Sequence, residues 1–142
     1  MEIRRATPAD APVLARFWHD SSAEINFTPY PGAAFDDSLM AEHVTLLAED
    51  GGEPIGAVYA NLSAEHFGFV FGLYVQPEAR RRGVAHALMR SIATLVREKG
   101  REYVLLSVDT PNAPARELYE RLGFVDAARM LRARTDDLLG PR

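Results

Sequence analysis

Val75-Gln76-Pro77-Glu78-Ala79-Arg80-Arg81-Arg82-Gly83-Val84-Ala85 is the stretch that decides how the chain is read. Before it, Phe67–Val75 is almost continuously apolar, as a strand covered on both faces requires. After it, Val84, Leu88, Ile92, Leu95 and Val96 recur at helical spacing, and Lys99-Gly100 supplies a stop. The stretch therefore joins the end of a buried strand to the start of an amphipathic helix. A helix start offers unpaired backbone N–H groups and the positive end of a dipole, which suits an anion. Gly83 lets a ligand approach the backbone, Ala85 keeps the first turn small, and Arg80, Arg81 and Arg82 add positive charge. These parts describe a pyrophosphate cradle. No Gly-Lys-Ser/Thr follows, so it is not a Walker motif, and its glycines do not match a dinucleotide fingerprint. A solvated arginine run ahead of an ordinary helix is the plainer reading, and these residues alone leave both open.

Downstream, Tyr103–Val108 reads as a buried strand. Asn112 is placed as a helix cap, Ala115, Leu118, Tyr119 and Leu122 mark a helix, and Gly123 stops it. Phe124 onward, including Ala128–Arg134, is expected to be strand, and Thr135–Arg142 a loose tail. Upstream, strands are expected at Ile3–Ala6, Val44–Glu49 and Ile55–Leu62, the last two joined by the hairpin turn Asp50-Gly51-Gly52-Glu53. Val13, Leu14, Phe17 and Trp18 predict a helix to about His19. Its start is either Thr7 with Pro8 at the first helical position, or Asp10 with Pro12 in the first turn. Asp20–Asp37 reads as an irregular loop in which Phe27, Tyr30 and Phe35 stand among Pro29, Pro31 and Gly32, and a short helix follows at Ser38–His43. A loop this long and aromatic is expected to cover something. The order of elements predicts an α/β chain with a mixed sheet and helices on its faces.

At 142 residues the chain has the size of one domain, with 47% hydrophobic and 25% charged residues, as in a globular protein. No apolar run is long enough to span a membrane. Met1–Arg5 reads directly into structure and not as a signal peptide. The absence of cysteine excludes disulfides, thiolate zinc sites and a cysteine nucleophile, and accords with a cytoplasmic location. A net charge of −4 disfavours nucleic acid as a partner. That charge is uneven: residues 1–66 carry a formal −8 and residues 67–142 a formal +4. One half could hold a cation and the other an anion, or surface charge is simply distributed unevenly.

Taken together, the two blocks resemble the GNAT superfamily of acetyl-CoA-dependent N-acetyltransferases. The family's cofactor signature, Gln/Arg-x-x-Gly-x-Gly/Ala, stands here as Arg80-Arg81-Arg82-Gly83-Val84-Ala85. The lead-in Leu73-Tyr74-Val75-x-Pro77, the following Ala87-Leu88-Met89, and Asn112…Ala115…Leu118-Tyr119-Glu120-Arg121-Leu122-Gly123-Phe124 are similar as well. The element order matches from Ile3 to about Arg134. The resemblance implies one N-acetyltransferase domain over residues 1–142, with a loose tail at 135–142, a central splayed mixed sheet flanked by helices, acetyl-CoA as cosubstrate, and no metal. It implies that Leu73, Tyr74 and Val75 contact the pantetheine arm and that backbone N–H groups from Arg81 through Ala85 and His86 hold the pyrophosphate. In the same reading Arg80 and Val84 complete the signature, Asn112 bonds to the arm, Ala115 belongs to the same block, and Tyr119 is the general acid toward the departing thiolate. Glu24, Phe27 and Tyr30, in or beside the aromatic loop, fall on the acceptor side.

The chain departs from the family pattern in two respects, and one is its C-terminal end, where Val125–Arg134 leaves room for one or two strands and the last hairpin is expected to be abbreviated or absent. Many relatives carry a glutamate in or beside the central strand as general base, and Phe69-Val70-Phe71-Gly72-Leu73 contains no acid. Glu65, His66, Glu24 and His19 are the available substitutes. Glu65 and His66 read more simply as a turn, and His19 as a surface residue at a helix end. The function implied is transfer of an acetyl group to a primary amine, on a small cationic molecule or amino acid. The alternatives are a peptide or protein N-terminus or lysine as acceptor, or a non-catalytic acyl-CoA-binding regulatory domain. The expected partner is a small-molecule amine, with no nucleic acid and no membrane; a homodimer stays open.

Overall fold

The computed structural model describes residues 1–25, 43–108, 113–129 and 131–140. They form two compact units, Met1–Leu106 and Ser107–Arg142, each described by itself. The first unit is built on a five-stranded sheet in the order β1 (Glu2–Arg5), β2 (Val44–Asp50), β3 (Glu53–Asn61), β4 (Phe67–Val75) and β5 (Tyr103–Leu106). The first three pairings are antiparallel, and β4 pairs with β5 in parallel, so the sheet is mixed, as its sequence predicts. Gly51 and Gly52, both at positive φ, make the tight turn between β2 and β3.

Two helices cover the faces. Helix α1 (Ala11–Ile25) lays Leu14 and Phe17 on Leu47, Ala57, Tyr59 and Tyr74. Helix α2 (Val84–Glu98) buries Val84, Leu88, Met89, Ile92 and Val96, a stripe with helical spacing. Leu88 and Val96 approach Gly56 and Gly68. Because successive strand residues point to opposite faces, Ala57 under α1 and Gly56 under α2 place the two helices on opposite sides.

The alternation breaks once inside β4. Tyr74 pairs with Ala57 but Phe71 pairs with Tyr59, so two residues, Gly72 and Leu73, stand opposite Val58 alone. This is a β-bulge. It brings Phe71 and Tyr74, three apart, to the same α1-facing side of the sheet. Gly72 makes it possible. Its φ is 65°, and a Cβ there would lie 2.5 Å from Tyr59 Cδ2 and 2.8 Å from Trp18 Cζ3.

Some elements differ from their sequence expectation. The chain uses both helix starts: Pro8–Asp10 forms a 3-10 turn after Thr7, and α1 then begins with Pro12 in its first turn. The Asp10 carboxylate accepts the Thr7 N–H at 2.7 Å and Arg4 Nη1–H at 2.8 Å, and Arg4 also pairs with Glu49. Helix α1 runs past His19 to Ile25, because no proline or glycine interrupts Asp20–Ile25; that part of the expected loop is helical. Strand β5 ends at Leu106 and not at Val108, where its pairing with Val70 stops. In the second unit, helix α3 (Ala113–Arg121) is followed by no strand among the described residues of 124–134. Val125 and Leu131 are 84% exposed there, and a strand of this kind forms when one of its faces is buried. Thr135–Leu139 is a short helix, α4, within the segment read as a tail. The expected helix at Ser38–His43, apart from His43, and the aromatic loop beyond Ile25 lie outside the described residues. Among those described, no helix is long and apolar enough to cross a membrane.

Two outcomes are expected. Gly72→Ala should lower stability by about 3 kcal/mol, from left-handed backbone strain and overpacking together. It is measured as the urea midpoint at constant m-value; an unchanged midpoint means the bulge tolerates a side chain. The Arg4 guanidinium, hydrogen-bonded to Asp10, holds its carboxyl down to about 2 against an ordinary 3.8. Its folded pKa is depressed, so the stabilisation is present above about pH 4 and is lost as pH falls through about 2. Arg4 is 42% exposed, and solvent reduces the effect to about 1 kcal/mol. Asp10→Asn should remove that part of the acid dependence of the urea midpoint, and a variant with the wild-type acid slope would contradict it.

Candidate functional site

The site begins where the sheet stops pairing. Val70, opposite Leu106, is the last residue of β4 matched to β5. From Phe71 to Val75, β4 is paired with β3 on one side, and among the described residues no strand lies on the other. The bulge sits at the start of this free edge and kinks the strand there. An unpaired strand edge presents backbone donors and acceptors that require a partner, and an extended amide-bearing ligand can supply one. Leu73, Tyr74 and Val75 all lie on this edge. The Tyr74 side chain is buried against Phe17 in the core.

The free edge leads directly into the loop before α2. Gln76 N–H donates to Ile55 O, and Pro77–Ala79 forms a 3-10 turn. Arg80 folds back: its Nε–H donates to Val75 O at 2.9 Å, and its guanidinium lies over the Tyr74 ring. Arg80 thus fastens the loop to the end of β4. Arg81 has φ 64° and Gly83 φ 80°, flanking Arg82 at negative φ. Such alternation turns successive N–H groups into one concavity. Gly83 caps α2, and the first helical N–H with a carbonyl one turn back is that of Ala87, bonded to Gly83 O at 3.0 Å. The N–H groups of Val84, Ala85 and His86 precede it. Gly83 is exposed, and a Cβ built on it meets nothing within 4 Å, so the space over the helix end is open. Arg82 is exposed and reaches Asp50 at 3.5 Å. The donors, open space and positive charge fit a phosphate-bearing cosubstrate.

Ala115 and Tyr119 belong to the second unit, on α3. The helix ends with Gly123 N–H on Glu120 O and Phe124 N–H on Tyr119 O, at 3.1 and 3.0 Å. This Schellman arrangement carries its usual apolar contact. The Phe124 ring meets the Tyr119 ring edge-on at 5.7 Å. The run Tyr119-Glu120-Arg121-Leu122-Gly123-Phe124 is thus a device that holds the tyrosine ring. Burial pushes the Tyr119 phenol up from its ordinary value, so it stays protonated at neutral pH.

Asn112, Phe27 and Tyr30 lie outside the described residues, as does the side chain of Glu24 on α1. Glu65 and His66 are exposed in the turn before β4, about 20 Å of strand from the bulge. His19 is exposed on α1. Among the described residues no group of acids and histidines could hold a metal. Sequence reasoning missed the bulge, although a glycine inside an apolar strand is its usual mark. It also missed the rings around it. Trp18 meets Tyr59 and Phe71 edge-on, Tyr59 stacks on Phe71 at 5.3 Å, and His43 meets Phe71 edge-on at 5.4 Å.

Residues 13–124, which include the free edge, the cradle and α3, match the family model described as the acetyltransferase (GNAT) family. The chain belongs to the GNAT family. It is 31% identical over 121 residues to streptothricin acetyltransferase of Streptomyces lavendulae, covering 84% of this GNAT chain and 61% of that protein's length. The fold is that of the ribosomal-protein-alanine N-acetyltransferase of Brucella melitensis biovar Abortus 2308, with a TM-score of 0.79 and 21% identity over 94% of this chain and 97% of that one. A predicted acetyltransferase from Clostridium acetobutylicum, solved with acetyl-CoA, gives a TM-score of 0.75 and 16% identity over 96% of this chain and 97% of the other.

Gly83→Glu tests the cradle. No side chain stands in its way, so the cost to folding is that of the backbone, about 1–2 kcal/mol. For the wild type, CoA at a hundredfold its Kd should add about 2.7 kcal/mol, read as a raised melting temperature. The variant should lose most of that gain, and a wild-type shift with Gly83→Glu would show the cradle lies elsewhere.

Proposed function

We propose that the chain transfers the acetyl group of acetyl-CoA to a primary amine, with a small cationic molecule or amino acid as the acceptor. The observation that carries the reading is the continuity of the part of β4 beyond its pairing with β5, Phe71–Val75, with the glycine-capped start of α2. A single ligand with amides along an arm and phosphates at its end is matched by those two features in that order. Acetyl-CoA supplies the activated thioester. The chain's own residues do the rest. Backbone groups of Leu73, Tyr74 and Val75 align the arm, and those from Arg81 to His86 hold the phosphates, with Arg81 and Arg82 adding charge. Tyr119, kept protonated by its burial, gives its proton to the departing sulfur. Asn112 and Ala115 act with it from the same block. No metal takes part.

A small acceptor is supported by the relative from Streptomyces lavendulae, whose name gives streptothricin as the compound it acetylates. A cationic one is supported by the formal −8 of residues 1–66, which contain Glu24, Phe27 and Tyr30, set against the +4 of the half that holds the phosphate cradle. The test is release of free thiol from acetyl-CoA with a panel of amines of equal size and graded charge, a ribosomal-protein N-terminal peptide among them. Turnover should favour the small cations, and its kcat/KM should fall as salt screens exposed charge. Tyr119→Phe should keep CoA binding and lose about 10–1000-fold in kcat. A preference for the peptide would reassign the acceptor, and CoA binding without turnover on any amine would make the chain a binding domain.

A further inference from the structure

We propose that His43 is the group that takes the proton from the acceptor's ammonium, an assignment that rests on the transferase reading above. An amine delivered as an ammonium ion has no free electron pair and must lose a proton before it can attack. Strand β4 offers no base for this, since Phe67–Val75 contains none. Glu65, His66 and His19 are exposed, the first two far along the strand from the end of its pairing with β5, and the side chain of Glu24 lies outside the described residues.

His43 stands elsewhere. It immediately precedes β2, and its ring meets that of Phe71 edge-on at 5.4 Å. Phe71 is the first residue of β4 beyond the pairing with β5 and the last before the bulge. His43 therefore sits against the residue where the sheet opens, on the face that carries α1. Its Nδ1 is buried and meets no hydrogen-bond partner among the described residues. Buried polar atoms are nearly always paired, so an open one calls for an occupant. The rings gathered with it are Phe71 from β4, Tyr59 from β3 and Trp18 from α1. Tyr59 is the other titratable group among them, and its burial pushes the phenol up, so it stays neutral. Aromatic faces receive a cation without neutralising it. An ammonium N–H directed at Nδ1 gives the nitrogen its partner. The N–H bond breaks, its electron pair stays on the amine, and the proton forms a new N–H bond on a neutral imidazole. The imidazolium then passes it to water.

The experiment uses the full chain and the best amine of the panel, with kcat/KM measured across pH for the wild type, His43→Gln and His43→Phe. His43→Phe keeps a ring against Phe71 and lacks the nitrogen. Both variants should keep the thermal shift with CoA, lose about 100-fold or more in kcat/KM near neutral pH, and recover as pH rises and the amine loses its proton unaided. Added imidazole should restore part of the rate in His43→Gln. If His43→Phe retains wild-type turnover, the histidine only packs, and the proposal is overturned. A loss in His43→Gln that does not recover at high pH overturns it too, while leaving the transferase reading intact. A wild-type chain that binds CoA and acetylates no amine overturns both.

Discussion

One extra residue in β4 governs most of what this GNAT chain can do. Strand β5 has four residues, all matched to Phe67–Val70, so β4 runs on from Phe71 to Val75 beyond its parallel partner. With Gly72 and Leu73 both opposite Val58, β4 keeps its antiparallel partner and parts from its parallel one after Val70. Beyond that point, from Phe71 to Val75, no strand among the described residues lies beside β4 on that side. The constraint is steric at its root. Tyr59 and Trp18 close over position 72 so tightly that a Cβ has no room, and the backbone there takes a positive φ.

The bulge also sorts the side chains. By moving the alternation one residue on, it lets Phe71 and Tyr74 both face α1. Tyr74 enters the core against Phe17, and Arg80 covers its ring while bonding to Val75 O. Phe71 instead joins Tyr59, Trp18 and His43. The end of β4, the loop and the start of α2 are thereby one fastened piece. An arginine that the signature alone would assign to phosphate serves to brace the loop, and it leaves the backbone donors and the exposed Arg81 and Arg82 facing outward.

The second unit shows a motif with a local cause. Gly123 and Phe124 follow Tyr119 because a helix that ends in this way needs a residue tolerant of positive φ and then an apolar one to contact the last turn. The same geometry stations the tyrosine ring against Phe124, and burial pushes its phenol up from the ordinary value.

The sequence by itself determined the elements whose cause is local. The apolar run Phe67–Val75, the α2 stripe from Val84, the two-glycine hairpin and the stops at Gly100 and Gly123 all announce themselves, because periodicity and turn chemistry act over a few residues. The join of strand, loop and helix at Val75–Ala85 and the family were legible for the same reason, being carried by contiguous residues. Helix α1 was read six residues short, because its end is set by nothing inside Asp20–Ile25. Only tertiary structure could decide where β5 stops pairing, that Arg80 turns back on Tyr74, and that His43 meets Phe71 across 28 residues of chain. Those facts depend on which strands lie side by side and on one register shift between them. Register is a property of two segments at once, so neither segment's residues carry it alone.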